Sequence, residues 1–187
     1  MLCLPLLAAW SDPPLETLMR RLAAVQRAEA TFTERKTLAA LAEPVVTHGH
    51  LVWRRPAYLA KITDPPDAET LVVDGDTLTV SGGADGEHAA PRRLDLSGEP
   101  GLRALVDAVR GTLAGDLVVL SAAYAVTMAG GLADWTLTLT PRAPEVARYL
   151  TRAVLGGTGA ALRSVAFAQP NGDGSVMTIA PAGGGAS

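Results

Sequence analysis

The stretch LAAVQRAEATFTERKTLAALAEPVVTHGHLVWRRPAYLAKITDPPDAETLVVDGDTLTV, residues 22–80, decides the fold. It opens on the end of a helical pattern: Leu15, Leu18, Met19, Leu22 and Val25 form one apolar stripe, with Arg20, Arg21 and Arg27 largely off it. A helix this short and this polar on its other face must lie on something apolar. From Ala28 the period changes to two. Ala30, Phe32, Glu34 and Lys36 alternate with Thr31, Thr33, Arg35 and Thr37, and after a loose loop at Ala39 to Pro44 the alternation resumes over Val45 to Trp53. There Val45, Thr47, Gly49, Leu51 and Trp53 share one face, and Val46, His48, His50 and Val52 the other. Pro56 cannot donate to a ladder and ends this second strand at a Trp53-Arg54-Arg55-Pro56 corner. Tyr58 to Ile62 reads as a third strand closed by Asp64-Pro65-Pro66-Asp67. Glu69 to Val73 and Thr77 to Val80 pair across Asp74-Gly75-Asp76, the strongest short-range hairpin signal in the chain. The pattern predicts an antiparallel sheet that begins with a covering helix and keeps one face free for an apolar cargo.

Working outward, Ser11-Asp12-Pro13-Pro14 is a helix start, with a capping residue ahead of proline in the first turn. Met1 to Ala9 resembles the apolar part of a secretory signal without its basic region, and Ala9-Trp10-Ser11 fits a small-x-small cleavage pattern. On the other side, Ser81 to Pro91 is a polar, Gly-rich loop and Arg92 to Leu96 a short edge strand. Glu99-Pro100 opens a second helix, with Leu102, Leu105, Val106, Val109 and Leu113 on one stripe and Gly115 as its stop. A helical turn follows at Asp116 to Leu120, and Pro144 to Leu150 is a short helix. The remaining strands are Tyr124 to Met128, Trp135 to Thr140, Arg152 to Leu155, Leu162 to Gln169 and Ser175 to Ala180. The expected fold is therefore α+β: a single unclosed, strongly curved antiparallel β-barrel of about eleven strands, with about three helices packed on the concave side. The expected organisation is a signal remnant over 1–11, one domain over 12–181 and a disordered Gly-rich tail over 182–187.

Composition narrows the function. The chain has 187 residues, enough for one domain with a sizeable core, and is 48% hydrophobic but only 4% aromatic. A net charge of −3 argues against a nucleic-acid footprint. Cys3 is the lone cysteine, so no disulfide and no Cys-based zinc site forms within the chain. Basic charge is nearly all arginine, the exceptions being Lys36 and Lys61, which reads first as compositional bias and second as a ligand signal.

Several residues fit this pattern into something known. Arg21 to Val25, Ala30-Thr31-Phe32-Thr33-Glu34, Gly49 to Pro56 and Leu71 to Leu78 resemble, in order and spacing, the LolA family of periplasmic carriers of outer-membrane lipoproteins. In the second half only the element order and Trp135 to Pro141 look similar. The resemblance implies an unclosed β-barrel with a helical lid and an apolar cavity that shields acyl chains between an inner-membrane exporter and an outer-membrane acceptor. It needs no cofactor and implies a monomer. The family's lid-holding arginine falls on Arg55, and the family's aromatic three residues past the proline is Leu59 here. That departure, together with the short segment after the last strand, resembles the more divergent LolA-like proteins found beside acyltransferases and polyene-pigment or glycolipid pathways. The expected cavity and latch residues are Phe32, Leu51, Trp53, Arg55, Tyr58 and Leu59.

Each has a plainer reading. Arg55 could be a solvated strand-end charge rather than a donor fork facing helix carbonyls. Trp53, Tyr58 and Leu59 could be ordinary core. His48 and His50 share a strand face but have no evident third metal ligand, and His88 lies in a loop, so solvent-facing histidines are expected. Asp64, Asp67, Asp74, Asp76 and Asp85 sit in turns, which favour Asp for local backbone bonding. Leu155-Gly156-Gly157-Thr158-Gly159 reads as a plain loop, since no phosphate-loop Lys follows it. There is no Gly-x-Ser-x-Gly elbow for a lipid hydrolase. A carrier without catalysis leads, with a non-transporting domain that senses lipoproteins as the alternative.

Overall fold

The computed structural model describes residues 14–83 and 90–182. The signal remnant, the Ser11-Asp12 cap, Asp85, His88 and nearly all of the Gly-rich tail lie outside the described residues. One helix, α1 (Pro14–Ala23), precedes five strands: β1 (Arg27–Thr37), β2 (Val45–Arg54), β3 (Tyr58–Thr63), β4 (Glu69–Asp74) and β5 (Thr77–Gly82). A short edge strand, β6 (Arg92–Asp95), leads into a 3-10 turn at Leu96–Gly98, then α2 (Pro100–Ala114) and α3 (Leu117–Ala123). The chain finishes as β7 (Tyr124–Gly131), β8 (Asp134–Pro141), α4 (Pro144–Ala147), β9 (Arg152–Thr158), β10 (Ala161–Ala168) and β11 (Gly174–Pro181).

All eleven strands form one antiparallel sheet in the order β6-β5-β4-β3-β2-β1-β11-β10-β9-β8-β7. Two meanders meet at its centre, where the first and last strands pair from Ala30↔Pro181 to Thr37↔Gly174. The edges β6 and β7 do not pair, so the sheet stays unclosed, as expected. Residues 96–123, which carry α2 and α3, bridge those two edges. Inner-face residues of β4–β5 (Val73, Leu78) and of β10–β11 (Val165, Met177) line one common space with α2, which requires the sheet to bend around the helices.

Register places the predicted faces where the alternation put them. Ala28, Trp53, Leu59, Val73 and Leu78 stand opposite one another across five strands, and Ala30, Leu51, Lys61, Leu71 and Val80 form the next inner row. Leu18, Met19 and Leu22 of α1 are buried, and the Asp74–Thr77 pair closes the predicted hairpin.

The differences lie mostly in the second half. The Asp116 turn is a full helix, whose N-terminus Asp116 caps by accepting from Val119 N–H at 2.9 Å. The helix expected over Pro144 to Leu150 ends at Ala147. The β7–β8 hairpin is longer than expected, and the Gly156-Gly157 stretch is strand rather than loop. There Trp135 is fully buried and its Nε1 donates to the Gly159 carbonyl at 2.9 Å. A Cβ at Gly157 would collide with that indole and with the Ala161 carbonyl, so the glycine lets two strands and a large ring share one layer.

Candidate functional site

Between α2 and the inner faces of β1–β5 and β10–β11 lies a cavity of about 840 Å³, at the upper end of the range of ordinary ligand sites. The predicted α2 stripe forms its roof: Leu102, Leu105, Val106, Val109 and Leu113 all line it. Leu51, Trp53 and Leu59 line the opposite wall, and Leu22 and Val25 close one end. The space exists because this part of the wall is built from medium-sized aliphatic side chains at half-buried positions, which together do not reach the helix.

Arg55 sits at the corner where β2 ends. Its backbone N–H donates to Gln26 C=O at 3.0 Å, and its Nη1 donates to two carbonyls, Ala23 and Ala114, each at 3.0 Å. Ala23 ends α1 and Ala114 ends α2. The last carbonyls of a helix have no partner within it and carry the negative end of its dipole, so one guanidinium satisfies two orphan acceptors and joins two helices to the sheet. The helices touch where they end: Gly115 is left-handed (φ 64°), and a Cβ there would strike the Met19 carbonyl and Ala23. Sequence reasoning anticipated a fork facing helix carbonyls; the geometry is a single terminal nitrogen bridging two helix ends.

A second set of ties holds α2 along its length. Arg103 Nη1 reaches Asp76 Oδ1 at 3.0 Å, and Arg110 Nη1 donates to the Gly75 carbonyl at 2.5 Å, so α2 also grips the β4–β5 turn. Asp107 joins both arginines, at 3.0 Å and 2.8 Å, and its carboxylate beside Arg103 holds that guanidinium above its usual range.

Not every predicted site residue faces the cavity. Phe32 is buried in the wall beneath it, with the Lys61 ammonium 5.1 Å from its ring centre. Tyr58 pairs with Arg54 on the outer face, where the guanidinium lies 5.0 Å over its ring. His48 and His50 also face outward: His48 Nδ1 lies 3.0 Å from Thr33 Oγ1, and His50 Nε2 lies 4.0 Å from Asp64 Oδ1. Among the described residues no group of three metal-ligating side chains converges.

What sequence reasoning missed is polar. On the inner wall Lys61 Nζ meets Glu34 Oε2 at 2.5 Å, and Lys36 Nζ lies 3.8 Å from the same oxygen. The only two lysines of the chain therefore converge on one buried carboxylate at the cavity wall. The signal was available, because the strand alternation already put Glu34 and Lys36 on the face of Phe32. Two buried side-chain groups, Thr47 Oγ1 and Trp53 Nε1, have no hydrogen-bond partner among the described residues.

The family described as outer membrane lipoprotein carrier protein, LolA-like, matches residues 12–187. No curated protein matches this chain. Among solved structures, a LolA superfamily protein from Nitrosomonas europaea aligns at 11% identity and a TM-score of 0.44, over 90% of this chain and 92% of that one. A DUF1329 family protein from Desulfovibrio piger aligns at 12% identity and a TM-score of 0.47, over 95% and 96%. The MucA/MucB complex structure from Pseudomonas aeruginosa aligns at 14% identity and a TM-score of 0.46, over 91% of this chain and 59% of that one. Among the described residues no helix is long and apolar enough to cross a membrane.

Proposed function

Since the chain belongs to the LolA-like family of outer-membrane lipoprotein carriers, we propose that it is a periplasmic carrier that takes acyl chains into the cavity beneath α2. It receives them from an inner-membrane exporter and yields them to an outer-membrane acceptor, acting as a monomer and without covalent chemistry. The observation that carries this reading is an apolar space of about 840 Å³ roofed by a helix whose end is held by a single arginine.

The energetics suit a carrier. Each buried methylene contributes about 0.8 kcal/mol, so ten of them supply about 8 kcal/mol before association costs are subtracted. No directed bond is needed, and chains of different length are held with little discrimination. Release requires α2 to move, and Arg55 sets the cost of that motion: a part-buried guanidinium that loses both carbonyls must find new partners or water.

The test is a titration of delipidated protein with a fluorescent fatty acyl probe. Saturable binding at one site is expected, with a changed affinity or release rate in Arg55→Leu. Absence of saturable binding in the native chain would sink the carrier reading.

A further inference from the structure

We infer that the cargo is an amphiphile with one ionised acidic group, whose anionic oxygens are held by Lys36 and Lys61 while its acyl chain runs toward Trp53 and Arg55. This inference rests on the carrier reading and adds the head-group chemistry to it.

The cavity wall is not uniform along the strands. Toward the Arg55 corner its inner rows are Trp53, Leu59, Val73 and Leu78, all apolar. Toward the other end of β1 the rows turn polar. Glu34 stands opposite Thr47 on one side and Met177 on the other, and Lys36 follows it on the same face. Glu34, Lys36 and Lys61 all line the cavity. Two ammonium groups flank one carboxylate here, in a lining that elsewhere also carries Glu29, Arg163 and Asp173.

Such an arrangement is expensive for a protein that binds only hydrocarbon. A buried ion pair such as Lys61–Glu34 returns little net stability against an apolar replacement, and Lys36, whose side chain is 39% exposed, keeps a second, partly solvated cation beside it. Lys36 lies 3.8 Å from the carboxylate, whereas Lys61 lies at 2.5 Å. Lys36 is thus the cation whose hydrogen-bonding capacity is least consumed by Glu34. A carboxylate or phosphate oxygen suits this end of the cavity: it accepts from Lys36 and shares Lys61 with Glu34.

The experiment is competition against an apolar fluorescent probe in the delipidated full chain. The competitors are palmitate, methyl palmitate and lysophosphatidic acid. The expected result is that palmitate competes roughly tenfold better than its neutral methyl ester, the difference one charge-assisted contact supplies. Lys36→Met brings that ratio close to one, and Glu34→Gln, which removes the competing carboxylate, raises it. Because Lys61→Met alone strands a buried carboxylate, it is made together with Glu34→Gln; that pair also lowers the ratio relative to Glu34→Gln. Relative competition by palmitate and lysophosphatidic acid identifies carboxylate or phosphate as the source of the anion. Equal competition by palmitate and methyl palmitate in the native chain and in Lys36→Met overturns the head-group assignment while leaving the carrier reading intact. If no ligand displaces or binds, the carrier reading itself fails.

Discussion

The two halves of the sheet are built alike and packed differently. On the β7–β9 side, Trp135, Leu137, Leu139, Leu150, Leu155 and Tyr124 are buried to 1% or less and belong to one cluster with α1, α2 and α3. On the β3–β5 side the buried hydrophobic cluster is smaller, Val73, Leu78, Val80, Leu96 and Val106, and three of its members, Val73, Leu78 and Val106, also line the cavity. The same architecture thus has one half that resists rearrangement and one half that leaves room. One side of the sheet is packed solid against the helices, and the other leaves the space that the proposed carrier role would fill with a guest. This is consistent with the low aromatic content: of the large rings, Trp135 and Tyr124 are committed to the solid half.

The sharpest way to break this contrast is on the solid side. Trp135→Ala removes a fully buried indole and its hydrogen bond above Gly157, where neighbouring backbone cannot collapse inward. It is expected to cost about 3–5 kcal/mol, read as a lowered denaturant midpoint with unchanged slope. A cost under about 1 kcal/mol would mean that this half is no more tightly packed than the other.

Next in size is the Arg55 contact that joins the ends of α1 and α2. Arg55→Leu leaves the Ala23 and Ala114 carbonyls without their donor and is expected to cost about 1–3 kcal/mol. Hydrogen exchange should quicken in the last turns of α1 and α2 and stay unchanged in β8 and β9. Uniform quickening would show that Arg55 supports the whole fold instead of one helix end.

Tyr124 tests the seam from the solid side. Its hydroxyl donates to the Ala104 carbonyl at 2.6 Å, pinning β7 to α2, and burial pushes its phenol well above the ordinary value of 10.0. A group whose folded value is raised contributes stability that is present below its unfolded value and is lost as pH climbs through the folded one. Stability should therefore decline above pH 10 in the native chain. In Tyr124→Phe the protein should be weaker by about 1 kcal/mol at neutral pH, with a shallower alkaline decline. An unchanged alkaline slope would mean that Tyr124 is already solvated.

How much of this could be read in advance differs by region for a physical reason. The alternation over residues 28–80 specified strands, faces and hairpin because half-buried strands write a period of two into the sequence, and the α2 stripe named the cavity roof. Arg55 was legible through the family resemblance, since by its position alone a basic residue before a strand-ending proline could equally be a solvated strand-end charge. Phe32 and Tyr58 were assigned to the cavity by proximity in sequence, but alternation alone cannot say how deep a ring sinks into the wall, and Tyr58 follows Arg54 to the outer face. Gly156-Gly157 looked like a loop because local sequence says nothing of the Trp135 ring that a distant strand lays over it. Lys61 and Glu34 are far apart in sequence, and only the register of β1, β2 and β3 brings them together.

The finest test uses two adjacent residues on α2, which faces both regions. Ala108 is fully buried in the solid cluster, and Val109 lines the cavity. Enlarging Ala108 to Leu forces three extra carbons into packed space and should cost about 1–3 kcal/mol. Enlarging Val109 to Phe adds four carbons, yet into open space, so stability should change by less than about 1 kcal/mol while capacity for an acyl probe falls. The opposite ranking, with Val109→Phe the more damaging, would mean that the cavity collapses in solution. The unfilled half would then be a packing feature rather than a place for cargo.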